Sequence, residues 1–207
     1  DAADIVVGDV RKPETLAPAL VDVSVVVSAV QGFDTPGGGN PDSVDRAGNA
    51  SLIAAAVEQG ADVVLMSVVG ASPDSPMVTA RAKFAAEETL KASGAGWTIV
   101  RSTPFLETWA TVVGAGIVFG RGKNPINFVS VTDVAAAVSR AAVDPSWRGQ
   151  TIEIAGPRDL TLNALAGWMK ELKIPGRSVH HVPRLLLRAT AAGDRKAAAL
   201  FGMDELD

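Results

Sequence analysis

The chain has 207 residues, of which 47% are hydrophobic, and its formal net charge at pH 7 is -4. This is enough for one full-sized core with a small appended lobe, and the dispersed charge excludes direct binding to nucleic acid or an anionic membrane. The chain has no cysteine, which excludes disulfides and thiolate catalysis, and no apolar run reaches the roughly 20 residues of a membrane-spanning helix, so a cytoplasmic protein is expected.

Short apolar runs rich in β-branched residues predict the strands of the first half. These runs are residues 5–7, 23–30, 63–69 and 97–100. Their hydrophobicity is nearly continuous, as in parallel strands that helices cover on both faces. The segments between them have helical periodicity: one begins at Pro13, one covers residues 43–59 and ends at Gly60, and one covers residues 79–93 and ends at Gly94. Strands that alternate with helices predict a doubly wound parallel sheet.

The second half continues this alternation with less regularity. We predict strands at residues 117–119, 127–129, 151–155 and 179–182, and helices after Ser130, over residues 162–172 and over residues 183–192. Ser130, with Asp133 three residues later, predicts the N-terminal cap of its helix. From these patterns we predict a main α/β domain over residues 1–157 and a small C-terminal substrate lobe over residues 158–207.

The residues at the carboxyl ends of the strands decide which ligands an open α/β sheet can bind. In chain order these ends contain Gly8-Asp9-Val10, Ser28-Ala29-Val30-Gln31, Ser67-Val68-Val69-Gly70 and Arg101-Ser102-Thr103-Pro104-Phe105. A helix with Arg81-Ala82-Lys83-Phe84 and a segment from Phe128 to Ala135 complete the set. Together, over roughly 150 residues, they resemble the atypical short-chain dehydrogenase/reductases, in particular the NmrA-like, NAD(P)H-binding group.

The resemblance implies a Rossmann-like fold and assigns residues to a dinucleotide site. It implies that Asp9 and Val10 flank the adenine; for Asp9, a helix cap is the alternative. Ser28, Ala29, Val30 and Gln31 would run beside the ribose and nicotinamide, with ordinary strand packing as the alternative for Ala29 and Val30. Pro104 and Phe105 are assigned to cofactor binding as well. The resemblance favours NADP(H) over NAD(H).

Two residues take the positions of catalytic groups in the resemblance. Ser67 takes that of the catalytic-site serine, with a hydroxyl satisfied by local backbone as the alternative. Lys83 takes that of a lysine facing the nicotinamide ribose, with a solvated helical lysine as the alternative. The family's tyrosine, four residues earlier and on the same helical face, is replaced by Thr79, and the chain contains no tyrosine. An alcohol is too weak an acid for that role, so the usual proton donor is lost.

The glycine-rich turn that holds a pyrophosphate does not occur in this sequence. No Gly-x-Gly-x-x-Gly is found, and neither Gly37-Gly38-Gly39 nor Gly120-Arg121-Gly122-Lys123 has the context of a phosphate loop. The resemblance therefore implies that the family's first βαβ unit is missing, and cofactor binding would be impaired without it.

Other reactive, charged or aromatic residues point less clearly to a function. His180 and His181 are adjacent in a predicted strand and point to opposite faces, so we expect no metal site. Arg184 and Arg188 could face an anionic substrate or solvent. Trp109 and Phe105 could line a substrate pocket or belong to the core.

Two functions are consistent with these residues, and the third alternative is a degenerate or incomplete chain with neither activity. The first is an NAD(P)H-dependent reductase or dehydrogenase of a small organic molecule, using Lys83 and Ser67. The second is a non-catalytic NmrA-like sensor that binds the dinucleotide and passes its redox state to a protein partner. The missing tyrosine favours the sensor, whereas the retained Lys83 favours the enzyme.

Overall fold

The computed structural model describes residues 4–32, 38–174 and 176–183. It divides into two compact units. The first unit contains the chain up to Arg101 together with Ala136–Ile152, and the second contains Ser102–Ala135 and the described residues from Glu153 onward. The predicted domain boundary after residue 157 stays a prediction.

The elements follow in the order strand, helix, strand that the sequence predicts. The strands are β1 (Val25–Ser28), β2 (Asp62–Val68), β3 (Trp97–Ser102), β4 (Ile117–Phe119), β5 (Ile126–Asn127), β6 (Gln150–Ile154), β7 (Asp159–Leu160) and β8 (His180–Val182). The helices are α1 (Ala47–Glu58), α2 (Val78–Ala92), α3 (Leu106–Gly114), α4 (Val131–Val143) and α5 (Leu162–Glu171), with a π-helical turn, Pro41–Arg46, before α1.

The central sheet has the strand order β1-β2-β3-β6. β1 and β2 are parallel, with Val25 opposite Asp62. β6 follows the direction of β3, because the Gly149 N–H donates to the Trp97 carbonyl near the start of both strands, at 2.7 Å. α1 connects β1 to β2, and α2 connects β2 to β3. This confirms the predicted α/β fold with a parallel sheet.

The first predicted strand does not form. Residues 5–7 are not part of any strand in the described chain, and Ile5 and Val7 are 92% and 91% exposed. A strand needs a neighbour to accept its backbone hydrogen bonds, and the described residues provide none at this position.

The predicted helix at Pro13 is replaced by two short 3-10 turns, Pro13–Thr15 and Ala17–Ala19. Pro18 explains the interruption, because a proline has no N–H to donate to the carbonyl four residues earlier and its ring clashes with that turn.

Helix α3 was missed by the sequence analysis. Its buried residues, Trp109 and Val113, are four positions apart and so lie on one face. Trp109 packs edge-on against Phe119, with 6.1 Å between ring centroids. Trp109 therefore belongs to the core of the second unit, together with Val118, Phe128, Leu162 and Leu165.

The remaining strands form two small sheets in the second unit. β4 and β8 pair in parallel, and β5 and β7 pair in antiparallel fashion. The Nδ1 atom of His181 lies 3.0 Å from the Gly120 carbonyl oxygen. The predicted helix over residues 183–192, with Arg184 and Arg188, lies outside the described residues except for Pro183. None of the helices described here is both long and apolar enough to cross a membrane.

Candidate functional site

Residues 28–32 follow the carboxyl end of β1, where an open parallel sheet offers its ligand site. Ser28 is buried, and its hydroxyl donates to Asn49 Oδ1 at 2.6 Å, so this side chain is used within the protein. Ala29 and Gln31 are exposed, and Val30 is half-buried. The strand-packing alternative is therefore wrong for Ala29, and the segment presents residues to its surroundings.

Lys83 reaches this segment from the middle of α2. Its ammonium donates to the Val30 carbonyl at 2.8 Å and forms an ion pair with Asp45 Oδ1 at 3.1 Å. The two charged side chains are only 7% and 1% exposed. Lys83 is thus not a solvated lysine: its charge is neutralised by a buried carboxylate, and its Nζ atom is bonded to the end of β1.

Asp45 was missed by the sequence analysis, although it connects most of these contacts. Its Oδ2 atom accepts a hydrogen bond from the Gly32 N–H at 2.7 Å. Its backbone carbonyl accepts one from Asn49 Nδ2, also at 2.7 Å. A signal was present in the sequence. Helical spacing of three or four residues places Asp45 and Asn49 on the same stripe as Leu52 and Ala56, and this stripe is predominantly apolar. Two polar residues on such a stripe indicate a buried polar network.

Ser67 belongs to a second buried network. Its hydroxyl donates to Glu87 Oε1 at 2.5 Å, and Glu87 is 0% exposed. Arg101, at the end of β3, donates to both oxygens of the same carboxylate, at 2.9 and 2.6 Å. The proposed alternative for Ser67, a hydroxyl bonded to local backbone, is therefore wrong, because the partner is a side chain 20 residues away.

Asp9 forms a turn rather than a helix cap. Its carboxylate accepts a hydrogen bond from the Arg11 backbone N–H at 2.9 Å and pairs with the Arg11 guanidinium at 2.7 Å. These bonds, the side-chain one first, lower the pKa of the Asp9 carboxyl to about 2. The cap of the following turn is Lys12, which makes no side-chain capping bond. The helix-cap alternative is therefore wrong.

Val10 packs against α1. A Cβ atom on Gly48 would lie 2.6 Å from Val10 Cγ2, so the valine occupies the space that this glycine leaves open. This contact holds the segment that follows Asp9 against α1. The predicted contacts of Asp9 and Val10 with an adenine stay predictions.

Pro104 and Phe105 lie in the second unit, directly before α3. The Pro104 carbonyl accepts a hydrogen bond from Val129 N at 3.1 Å, and Phe105 forms a parallel bridge with Val129. Both residues are half-buried. Their predicted role in cofactor binding also stays a prediction.

Helix α2 connects the two polar networks of the first unit. Lys83 and Glu87 are four residues apart and therefore lie on one helical face. Lys83 holds the end of β1, whereas Glu87 holds Ser67 on β2 and Arg101 on β3. Thr79, at the position of the family's tyrosine, is one turn before Lys83 and half-buried. The structure thus brings Lys83 together with Val30 and places Ser67 in a separate network.

Comparison with families of known proteins gives a match over most of this chain. The sequence model of a family described as NAD(P)H-binding matches residues 1–145 of this chain. The chain belongs to the NAD(P)H-binding family. The match covers the polar networks of the first unit and the segment through Phe105.

Among curated proteins, this member of the NAD(P)H-binding family is similar to the NAD(P)H azoreductase of Xenophilus azovorans. The two are 29% identical over 193 residues, which cover 89% of this chain and 63% of the azoreductase. The chain therefore spans less than two thirds of the length of that relative.

Solved structures of related fold include two reductases. An NADPH-dependent quinone oxidoreductase from Escherichia coli, solved with NADPH, has a TM-score of 0.73 and 20% identity, and the match covers 96% of this chain and 70% of that one. The triphenylmethane reductase of Citrobacter sp., solved with NADP(H), has a TM-score of 0.69 and 18% identity, covering 95% and 70%. At these identities the likeness shows the Rossmann-like fold of the family.

Proposed function

We propose that this chain is the nicotinamide-cofactor-binding part of an NAD(P)H-dependent oxidoreductase that acts on a small organic molecule. The observation that carries the proposal is the family match over residues 1–145, which includes the exposed carboxyl end of β1. NAD(P)H, when bound, supplies a hydride. The exposed residues Ala29 and Gln31 would border the nicotinamide and its ribose, with the backbone of residues 28–32 as the contact surface.

The residues present fit the nicotinamide and its ribose better than they fit the pyrophosphate. A pyrophosphate needs a glycine-rich turn before a helix, and this sequence has none. β1 is at one end of the sheet order, so one of its edges pairs with no other described strand. We infer that a glycine-rich strand–turn–helix unit pairs with this edge in the complete site. The side chain of Val27 on β1, 44% exposed, projects from a face of the sheet, where the helix of such a unit would cover it.

We favour NADP(H) as the cofactor. The support is that both reductase structures named above were solved with NADPH or NADP(H). The side chain whose charge would distinguish a ribose 2′-phosphate from a 2′-hydroxyl lies at the end of a strand that this sequence does not contain.

The polar groups of the candidate site favour a substrate whose reduction needs no proton from a side chain of the protein. The chain has no tyrosine, the Ser67 hydroxyl donates to Glu87, and Lys83 donates to Val30 and Asp45. A conjugated acceptor can delocalise the electron pair that arrives with a hydride and take its proton from water afterwards. Quinones and azo compounds are such acceptors, whereas a cationic triphenylmethane dye needs no proton, because the hydride itself neutralises it. All three are substrate classes in the names of the relatives. Catalytic roles for Lys83 and Ser67 are part of this proposal, as electrostatic and structural supports of the site.

The same engaged groups favour a second candidate function. A domain without a free proton donor can bind NAD(P)H and report its redox state to a protein partner without catalysis. This sensor would show cofactor binding of similar affinity but no turnover with any acceptor.

Calorimetric titration of NADPH and NADH tests the proposal. The titration uses this chain and a version extended upstream by a glycine-rich strand–turn–helix unit. We expect NADPH to bind the extended form, and oxidation of NADPH with a quinone or an azo dye to distinguish the enzyme from the sensor. If neither form bound NADPH or NADH, the dinucleotide assignment would be overturned.

A matched pair of variants locates the site in that experiment. Ala29→Glu places a carboxylate at the end of β1 and should weaken NADPH binding at least about tenfold by repulsion of the cofactor phosphates. Ala54→Glu makes the same change at an exposed position of α1 and should leave the affinity unchanged.

A further inference from the structure

We propose that Asp45 is a positioning residue, which fixes the backbone of residues 30–32 so that the end of β1 is preformed for the cofactor. The inference deepens the proposed function and rests on it. Asp45 does not itself have to touch the cofactor, because its effect is transmitted through the two backbone groups on either side of Gln31.

The contacts of Asp45 form a clamp around Gln31. On one side, its Oδ2 atom accepts the Gly32 N–H at 2.7 Å. On the other, its Oδ1 atom pairs with Lys83 at 3.1 Å, and the same ammonium donates to the Val30 carbonyl at 2.8 Å. One carboxylate thus holds the residue before Gln31 through Lys83 and the residue after it directly.

The burial of the pair makes the clamp stiff. Both side chains are almost fully excluded from water, at 7% for Lys83 and 1% for Asp45. Hydrogen bonds to charged groups are stronger than neutral ones, and a low local dielectric strengthens them further. Neither ion can leave the other without an uncompensated charge in the interior, which is strongly unfavourable.

Steric contact at Gly32 adds a second constraint. A Cβ atom at this position would lie 2.3 Å from the Asn40 carbonyl oxygen, so only a glycine allows the segment to approach the π-helical turn this closely. Asp45 belongs to the same turn. The turn therefore holds residues 30–32 by a charged hydrogen bond and by close backbone packing.

A positioning role predicts a particular kinetic result. Loss of the clamp should weaken NADPH binding, because the free segment has to be ordered when the cofactor binds. The loss of Asp45 should change the turnover number at saturating NADPH little, since Asp45 supplies no proton and makes no contact with the reacting atoms. A general acid or base in this position would instead change the turnover number and its pH profile.

The test replaces the whole pair, because removal of one ion alone leaves the other charge buried without its counter-ion. Asp45→Leu combined with Lys83→Met exchanges a buried ion pair for apolar side chains of similar size, which proteins often tolerate. The matched control is Asp62→Leu with Arg148→Met. Asp62 and Arg148 form an ion pair at 2.6 Å in the same unit, and Asp62 is at the start of β2, the opposite end of the strands from residue 32.

Amide hydrogen exchange, followed by NMR on the chain without cofactor, gives the first measurement. We expect exchange of the Gly32 amide to accelerate at least about tenfold in the Asp45/Lys83 double variant and to stay unchanged in the control. Lys83→Met alone should keep the Gly32 protection and shift the carbonyl carbon resonance of Val30. Unchanged exchange at Gly32 in the double variant would overturn the positioning role whether or not the chain binds a dinucleotide.

NADPH titration and steady-state kinetics, on the form that binds cofactor, give the second. The double variant should raise the NADPH dissociation constant about tenfold, with a turnover number within about twofold of that of Lys83→Met, in which the catalytic role proposed for Lys83 is equally lost. The Asp62/Arg148 control should change neither quantity. Faster exchange without a change in affinity would show that the clamp does not serve the cofactor. If the unaltered protein does not bind NADPH, the proposed function fails, and the exchange measurement alone decides whether Asp45 holds the segment.

Discussion

The carboxylate of Glu87 and the guanidinium of Arg101 meet through two hydrogen bonds, Nε to Oε1 at 2.9 Å and the terminal nitrogen to Oε2 at 2.6 Å. Ser67 donates a third bond to the same carboxylate. Because Glu87 is on α2, Arg101 on β3 and Ser67 on β2, one buried anion connects a helix to two neighbouring strands. The catalytic position assigned to Ser67 is thus also a structural junction of the first unit.

Glu87→Gln should lower the free energy of unfolding by about 3–5 kcal/mol, because it removes the buried negative charge to which Arg101 and Ser67 both donate. Urea unfolding followed by circular dichroism measures this loss. The control is Glu88→Gln, one residue along the same helix. Glu88 forms an ion pair with Lys91 in which its side chain is 53% exposed, so the loss there should stay below about 1 kcal/mol. Equal effects of the two substitutions would show that burial does not strengthen the Glu87 pair.

The strands and helices of the first unit could be predicted because their apolar residues recur with a clear period. The observed bounds of β2, β3 and α2 lie within one or two residues of those predicted from such patterns. The run at residues 5–7 has the same composition but no neighbouring strand among the residues that the structure describes. Pairing is a property of two segments, which the sequence of one segment cannot reveal. Composition therefore predicted that residues 5–7 tend to form a strand, but it did not predict whether they form one here.

The site could be predicted only in part, because its central ion pair is non-local. Lys83 and the strand ends were found from the sequence, but the partner of Lys83 is 38 positions earlier in the chain, in a helical turn with no distinctive motif. A similar limit applies to Ser67 and Glu87. Sequence reasoning therefore identified residues of the site but assigned free reactivity to side chains that the fold uses internally.

The pH dependence of the Asp9–Arg11 pair follows from its hydrogen bonds. The pKa of the Asp9 carboxyl is lowered from 3.8 to about 2, chiefly by the Arg11 side chain. The ionised form is therefore favoured in the folded chain. Its contribution to stability is fully present above about pH 3.8 and is lost as the pH falls towards 2. Carbon-13 NMR of the side-chain carboxyl should give this titration directly.

Arg11→Met should raise the Asp9 pKa towards 3.8, because the largest of the favourable interactions is removed. Arg46→Met is the control, since Arg46 pairs with Asp42 instead. An Asp9 titration that is the same in all three proteins would show that the turn backbone, and not the guanidinium, holds the carboxylate in its ionised form.

The N-terminus of α4 is stabilised by an acid from another helix. Ser130 caps it as predicted, accepting the Thr132 N–H at 3.2 Å, and Asp133 lies in the first turn, but the carboxylate that accepts hydrogen bonds from Ser130 and Val131 is Glu107 on α3. Glu107 accepts hydrogen bonds from the Ser130 hydroxyl at 2.8 Å and from the Val131 N–H at 3.1 Å. Its own backbone N–H, followed by the bonds from Val131 and Ser130, lowers the pKa of the Glu107 carboxyl.

Glu107→Gln should therefore destabilise the second unit by about 1 kcal/mol, the usual scale of a capping interaction with a helix N-terminus. Asp133→Asn, at an exposed position in the first turn of α4, should cost less than half of that. Thermal unfolding of both variants at pH 7 compares the two acids. A larger loss for Asp133→Asn would restore the capping arrangement that the sequence predicts.

Gly32→Ala tests the close packing at the end of β1. The added Cβ would lie 2.3 Å from both the carbonyl carbon and the carbonyl oxygen of Asn40, and backbone atoms cannot yield as a flexible side chain does. We expect a loss of about 1–3 kcal/mol in unfolding free energy and a shifted Gly32 amide resonance, because the bond to Asp45 would lengthen. Gly167→Ala is the control, since its Cβ would meet no atom within 4 Å and alanine is the better helix former, worth up to about 1 kcal/mol. If Gly32→Ala were as harmless as Gly167→Ala, residues 30–32 would be free to move away from the π-helical turn, and the backbone packing would contribute nothing to holding the strand end.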